Sequence, residues 1–469
     1  MQSQTTVAQP RIFVIGYPRR RGRGARSDTA QQAVRRTRRP VRRSGCRSPE
    51  AHVTSSPPRL VAGLDLGSTK VVAVIADAAG DARDSYARIL GVGMASNSGL
   101  RRGVVRDIEE TTRAIAKAMK DAERMAGVEV EQVYAGVAGE HVAGRTSHGV
   151  VSVTGDEIRT GDVARVNDVA SNISFGRDHE LLHAIPLDYL IDQQAGISDP
   201  IGMTGSRLEA EVYLVTVLSS VLQNLGKCVE RAGYHVGEFV LEPLAASRAV
   251  LTLDERDLGC ALIDLGGGST NVSIFSGGKI RHTGSLLCAG GHVTSDIVHG
   301  LQVTQLDAER LKQRYGAAFE PIIAEDEVLE LPSTPGQGPR TAERRVLAHI
   351  MQARLQEILE FAANEIARAG YQERLPAGVV LTGGGALTPG MVELGREVFA
   401  MPVRIGSPGE QLSGLADSVE SSRMTVAAGL VLHGAYEVAL SNFAGVGGRR
   451  SPAVEKLLGP VKRWLQDFF

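Results

Sequence analysis

Apolar residues run almost without a break through LVAGLDLG, beginning at Leu60, and the same texture resumes in VVAVIADAAGD after a short glycine-containing turn. Runs of this kind, bounded by turn residues, predict two buried strands of one hairpin. The period then changes. In DIEETTRAIAKAMKDAERMAGV, residues Ile108, Ile115, Met119, Ala122 and Met125 fall on one helical face, with Asp107 and Glu110 spaced as a capping box. EQVYAGVAG returns to a strand. Over 143–218, short strands (GVVSV, LHAIPLDYLI, RLEAEVYLVTV) surround one helical piece, a shift that marks an inserted domain.

Helix NLGKCVERAG leads to strand GEFVLEP, and the opening pattern comes back. CALIDLGGGSTNVSIFSGGKIRHTGSLL is again strand, glycine turn, strand, about 200 residues after the first copy. Such an internal echo points to two related halves. A long amphipathic helix follows, with Leu347, Ile350, Met351, Leu355, Ile358, Leu359 and Ile366 on its buried side. AGVVLTGGGALTPGM makes a third strand-to-glycine turn, and TVAAGLVLHGAYEVAL reads as a final core helix.

SNFAGVGGRRSP has the composition of a flexible linker. Beyond it, Val454, Leu457, Leu458, Val461, Trp464, Leu465, Phe468 and Phe469 recur at helical spacing, with Lys456, Lys462 and Arg463 on or beside the polar face. Pro460 fits as a kink or in the first turn. An aromatic stripe with basic flanks, carrying the chain's single Trp, predicts a helix lying on an anionic membrane surface. The alternative is a terminal helix packed on the body. Complete burial would contribute about 1.5–3 kcal/mol per large side chain; interfacial burial is partial, so binding is expected to be reversible.

Composition adds little except at the start. The chain has 469 residues, 43% hydrophobic and 22% charged, enough for several cores. No apolar run approaches the roughly 18 residues of a membrane span. The net charge of −1 hides an asymmetry, because residues 1–58 carry 13 Arg against Asp28 and Glu50. That segment lacks apolar periodicity and reads as an extension outside the fold, or as sequence preceding the true start. Charge bias alone speaks for an arm on nucleic acid or lipid, so nucleic acid is not an expected partner. IFVIG is too short for a secretory signal. Cys46, Cys228, Cys260 and Cys288 show no metal or disulfide spacing.

The chemistry lies in the repeated turns. Glycine lets backbone N–H groups approach phosphate oxygens, and successive N–H groups make an anion nest. Asp65-Leu66-Gly67-Ser68-Thr69-Lys70 adds hydroxyls and an ammonium; Asp264-Leu265-Gly266-Gly267-Gly268-Ser269-Thr270 can grip from the other side. An Asp at each strand end suits hydrated Mg²⁺. No P-loop motif is present.

The order of these motifs resembles the superfamily of actin, DnaK-type chaperones and sugar kinases, in which two halves close on a nucleotide. The resemblance implies an α/β actin-like fold with ATP and Mg²⁺ as cofactors. It places Asp65 by the metal, with Gly67, Ser68, Thr69 and Lys70 at phosphate, and Glu242 of LEPLAASRAV near the metal or the attacking water. It makes Asp264 the residue that positions water or metal, beside Gly266, Gly267, Gly268, Ser269 and Thr270. It sets Gly290 and Gly291 close to the nucleotide, Glu309 and Lys312 on ribose, and Gly383, Gly384 and Gly385 in the adenosine loop. Glu242 could instead be a buried acid satisfied by helix N–H groups, and Glu309 with Lys312 a surface pair. Asn271 stands where many relatives carry Asp or His; it cannot act as a general base, so slow hydrolysis at most is expected.

LLHAIPLDYLIDQQAGISDPIGMTGSRLEAEVYLVT resembles the small extra domain of the FtsA family of bacterial division proteins, and RHTGSLLCAGGHVTSDI and PVRIGSP are similar to that family too. The likeness spans 61–437, although SSRMTVAAGL lacks the Pro and aromatic residue usual there. It implies a peripheral protein on the cytoplasmic face of the inner membrane that polymerises and tethers the tubulin-like FtsZ. The FtsZ C-terminal peptide would sit on the outer lobe at 292–376, near Arg340, Arg344 and Arg345, while the insert would serve self-contact and later division partners. The expected order is extension 1–58, first half 59–142, insert 143–218, return and connecting helix 219–258, and second half 259–291. Outer lobe 292–376, adenosine loop and final helix 377–437, linker 438–453 and membrane helix 454–469 complete it. Two other readings are a PilM-like pilus scaffold and a small-molecule kinase of the same superfamily; the kinase needs a second catalytic Asp that cannot be pointed to.

Overall fold

The computed structural model describes residues 59–80, 85–324, 327–332, 340–409 and 411–445, all within the unit Ser56–Phe469. The linker beyond 445, the amphipathic stretch 454–469 and the Arg-rich start lie outside the described residues.

The chain opens with β1 (Leu60–Leu66), β2 (Lys70–Gly80) and β3 (Ser85–Ser96), then a two-residue hairpin of β4 (Leu100–Arg101) and β5 (Val104–Val105). Helix α1 (Ile108–Ala126) and β6 (Gln132–Val137) follow. Asp107 caps α1 by accepting from the Glu110 amide at 3.0 Å, but the reciprocal half of the expected box is absent because Glu110 pairs with Arg113 at 2.6 Å. Ile115, Met119 and Ala122 are buried on the sheet, whereas Met125 is 54% exposed. The periodicity places Met125 on the right face, but it sits in the last turn before Gly127, where the helix ends.

The chain then leaves this sheet for a four-stranded one, order β7-β10-β8-β9, built from β7 (Val142–Ser152), α2 (Thr160–Ser171), β8 (His179–Ile191), β9 (Gln194–Ile197) and β10 (Arg207–Leu218). Its core is its own: Val163, Val166 and Ala170 of α2 pack on Tyr189, Leu208, Val212 and Leu214. Next come α3 (Ser219–Arg231), β11 (His235–Leu241), α4 (Glu242–Val250) and the short α5 (Leu253–Leu258).

The second half repeats the first. It contains β12 (Cys260–Leu265), β13 (Thr270–Ser276), β14 (Lys279–Leu286), α6 (Gly290–Leu301), α7 (Gln305–Tyr315), β15 (Val328–Leu331), β16 (Arg340–Glu343), α8 (Arg344–Arg368), β17 (Val379–Thr382), α9 (Met391–Phe399) and β18 (Val403–Ile405). The strand orders match one for one, β3-β2-β1-β6-β11 against β14-β13-β12-β17-β18. Their polarities match too, with antiparallel pairs on one side of β1 and β12 and parallel pairs on the other. β19 (Leu412–Gly414) extends the first sheet at its β3 edge.

Helix α10 (Thr425–Gly445) closes the fold. It runs eight residues into the segment expected as linker, because Ala439 and Leu440 are still buried and keep the helix docked. It crosses α4 at Gly429, where an added Cβ would lie 1.9 Å from the Ala245 carbonyl oxygen. Only glycine permits so close a crossing, and it packs together the two helices that connect the halves. Among the described residues no helix is long and apolar enough to cross a membrane.

Candidate functional site

β1 and β12 are buried strands that each deliver an aspartate one residue before the turn, because alternation along the two hairpins is in the same phase. Asp65 pairs in register with Val72, and Asp264 with Asn271. The turns face each other across one cleft of about 130 Å³. They approach until they touch: a Cβ on Gly267 would stand 2.5 Å from Thr69 Cγ2. Ser68 Oγ also accepts from the Arg102 amide at 3.0 Å, which ties the β4–β5 hairpin to the first turn.

The cleft gathers Asp65, Gly67, Ser68, Thr69, Lys70, Glu242, Asp264, Gly266, Gly267, Gly268, Ser269, Gly383 and Gly384. Its carboxyls repel one another in a desolvated space. Burial pushes Asp65 up to about 6 despite Lys70, and burial with the charge of Asp65 pushes Asp264 up to about 7. Glu242 is raised well above the usual carboxylate range by burial, then by Asp65 and Asp264. Burial holds the Lys70 ammonium down, against the pull of Asp65 and Asp264, and Lys70 Nζ donates to the Arg423 carbonyl at 2.5 Å. Three acids beside two N–H-rich turns form a place for a cation bridged to an anion. The donor set is all oxygen, which fits Mg²⁺. Among the described residues no three of His, Cys, Asp and Glu are placed to cage a metal ion, so the cation would keep waters, as magnesium does.

Other expected site residues stand behind this wall. Thr270 is fully buried and its hydroxyl donates to the Cys288 carbonyl at 2.7 Å, a strut for the second turn. The amides of Gly290 and Gly291 donate to the carbonyls of Gly266 and Gly267 at 3.0 and 2.9 Å, fixing that turn from behind. Gly385 opens a short helical turn against Leu265. Glu309 and Lys312 are closed on each other at 2.7 Å and bond Thr294, while Lys312 also reaches the Gly290 carbonyl. They do not line the cleft, and would have to release these bonds to meet a ribose.

Sequence reasoning missed Asn97, whose amide nitrogen donates to the Gly67 carbonyl at 3.0 Å. It also missed Ser422, Arg423 and Thr425 at the start of the last helix, which line the cleft. The only signals were a turn-forming Asn-Ser-Gly and an unusual SSRMT, neither tied to a site by spacing.

The inserted sheet is fastened to both halves. His183 Nε2 accepts from the Leu241 amide at 3.0 Å, next to Glu242, and Tyr213 OH accepts from the Thr283 amide at 2.9 Å. Arg281 pairs with Asp188 at 2.7 Å, and Lys279 Nζ donates to the Leu187 carbonyl.

The three outer-lobe arginines are engaged internally. Arg340 donates to the Leu301 and Gln302 carbonyls, Arg344 to Tyr315 O and Glu327, and Arg345 lies 3.6 Å from Glu320. An acidic peptide would therefore compete with contacts already made.

A family model described as cell division protein FtsA matches residues 261–429, and one for the SHS2 domain inserted in FTSA matches 139–216. The chain is 37% identical over 418 residues to the cell division protein FtsA of Pseudomonas aeruginosa, covering 88% of this chain and 98% of that one. Against the Escherichia coli K12 protein of the same name the identity is 35%, with the same coverage. Among solved structures, the PilM-PilN type IV pilus biogenesis complex superposes with a TM-score of 0.57 at 15% identity, over 80% of this chain and 98% of that one. That likeness is one of fold, the actin-like one. With relatives this similar along nearly their whole length, the chain belongs to the FtsA family of cell division proteins.

Proposed function

We propose that this chain binds ATP with Mg²⁺ between its two halves, polymerises on the cytoplasmic face of the membrane and tethers FtsZ there. The observation that carries the nucleotide reading is the pair of glycine turns in contact across one cleft, with Asp65, Asp264 and Lys70 between them. In this reading the turn amides and Lys70 hold the phosphates, while Asp65 and Asp264 orient the waters of the metal, which supplies charge neutralisation when bound. Gly383 and Gly384 would border the adenosine.

Hydrolysis would be slow for a chemical reason. Asn271, opposite Asp264, cannot take a proton. Burial and the charges of Asp65 and Asp264 favour the protonated form of Glu242, which disfavours it as a base. Binding alone can select a closed, assembly-competent arrangement.

Residues 454–469 supply the membrane contact through their apolar stripe, and assembly multiplies that weak contact by avidity. The outer lobe would receive the FtsZ C-terminal peptide, and the insert would serve self-contact and later division partners. Two experiments test this. Liposome co-sedimentation with ATP should bring down the full chain and leave in solution a chain ending at Pro452; equal pelleting sinks the membrane reading. Asp264→Ala should weaken Mg²⁺-dependent ATP binding, and unchanged affinity removes Asp264 from the site.

A further inference from the structure

Two basic side chains line the cleft among the described residues, Lys70 and Arg423. Their situations are opposite. The Lys70 ammonium is held in place by the Arg423 carbonyl and by the charges of Asp65 and Asp264. Arg423 has its main chain locked instead. On either side of it Ser422, Met424 and Thr425 are buried; Ser422 Oγ donates to the Gly383 carbonyl at 3.0 Å, and the Thr425 hydroxyl lies 2.7 Å from that of Thr382. The guanidinium itself is exposed at the cleft, and no hydrogen bond or ion pair holds it among the described residues. A fixed backbone thus presents a free cation beside the lysine and the two phosphate turns.

We infer that Arg423 is a further nucleotide-contacting residue, whose guanidinium turns into the cleft and binds the phosphate chain of a nucleoside triphosphate. The inference rests on the nucleotide reading of the cleft and deepens it. The electrostatics call for such a group. Asp65 and Asp264 already face the space, Lys70 brings one positive charge against them, and a polyphosphate adds further negative charge. Even with a divalent cation the assembly is short of positive charge. Guanidinium suits the task because its planar fork meets two phosphate oxygens at once and keeps its charge at any working pH. Its location beside Lys70 directs it to the phosphates, where the charge lies.

The effect should therefore grow with the number of phosphates. The test is binding of ATP, ADP and AMP with Mg²⁺ to the full chain, by competition against a fluorescent ATP analogue. It compares the unaltered protein with Arg423→Ala and Arg423→Lys, with thermal melts to verify folding. For Arg423→Ala, ATP affinity should fall about tenfold, the scale of a lost charge-assisted hydrogen bond. ADP should lose less and AMP least, and Arg423→Lys should recover part of the ATP loss. Unchanged ATP affinity overturns the inference, and so does an equal loss for all three nucleotides, which would assign Arg423 to the nucleoside or the fold. Failure of the unaltered protein to bind ATP sinks the reading of the cleft itself, and a loss with Lys70→Ala alone would keep that reading while removing Arg423 from it.

Discussion

The two glycine turns share their strand order and the place of their aspartate, yet they are charged and braced differently. The first turn brings a cation, Lys70, and sets inert Val72 across from Asp65. The second brings no cation, has one residue more, and sets Asn271 across from Asp264. The first is held by one residue, Asn97, whose side chain donates to the Gly67 carbonyl and whose amide donates to the Thr69 carbonyl. The second is held by another segment, the amides of Gly290 and Gly291 on the Gly266 and Gly267 carbonyls, with the Thr270 hydroxyl on the Cys288 carbonyl beside them. A duplicated frame has divided the chemistry. One copy supplies charge compensation; the other supplies the nest of amides and the acid nearest neutrality.

The largest break in that comparison should come from Lys70→Met. Asp65 and Asp264 would lose the one lysine that offsets them, and removing one partner of a buried charge cluster typically costs about 3–5 kcal/mol. Lys70 keeps part of its contact with solvent, so a loss of about 2–3 kcal/mol is expected by denaturant titration, together with ATP affinity. No single substitution in the second turn should match it, because that turn holds no counter-charge to remove.

The pH response separates the two acids. Both carboxyls hold protons to higher pH in the folded protein than unfolded, about 6 for Asp65 and about 7 for Asp264 against 3.8. The native state thus binds more protons than the unfolded one between these values, and stability without metal or nucleotide falls as pH rises through that window. In EDTA, stability should decline from about pH 4 to pH 7 by several kcal/mol, at about 1.4 kcal/mol per pH unit for each acid, and melting temperature with it. Asp65→Asn should flatten the decline below pH 6, and Asp264→Asn should flatten it up to pH 7. If both variants keep the full slope, burial of these acids is not its source.

Gly267→Ala probes the contact between the turns, since its Cβ would meet Thr69 at 2.5 Å. Forcing the turns apart should cost about 1–2 kcal/mol in ATP binding, read as a roughly tenfold weaker dissociation constant. Gly409, where nothing lies within reach of a Cβ, is the control, and Gly409→Ala should bind normally.

What was legible in the sequence follows from how far each feature is local. The Asp-Leu-Gly turns were visible because strand period and glycine placement are written in adjacent residues, and the echo at Asp264 made them mutually supporting. The inserted sheet showed as a change of texture. Arg423 and Asn97 were not legible, because both reach the turns by folding from chain segments whose own pattern says only helix start or turn. Glu309 and Lys312 were found at the right spacing, but a spacing cannot say that Thr294 and the Gly290 carbonyl would claim them. The linker was set too early since the serine, asparagine and glycine of SNFAG read as linker, while α10 runs on through them to Gly445.

The smallest effect tests the bracing itself. Asn97 is 4% exposed and joins two backbone groups, donating to the Gly67 carbonyl and accepting from the Gly99 amide, each at 3.0 Å. Asn97→Ala leaves both without their partner in a buried place, which costs about 1–2 kcal/mol where water cannot enter. Water can reach Gly67 through the cleft, so the lower end, about 1 kcal/mol in stability and a few-fold in ATP affinity, is expected. Asn97→Asp should keep the acceptor for Gly99 but lose the donor for Gly67, and so separate turn geometry from the strut. If Asn97→Asp loses ATP affinity and Asn97→Ala does not, added charge rather than bracing sets the first turn, and the Asn97 side chain is not its brace.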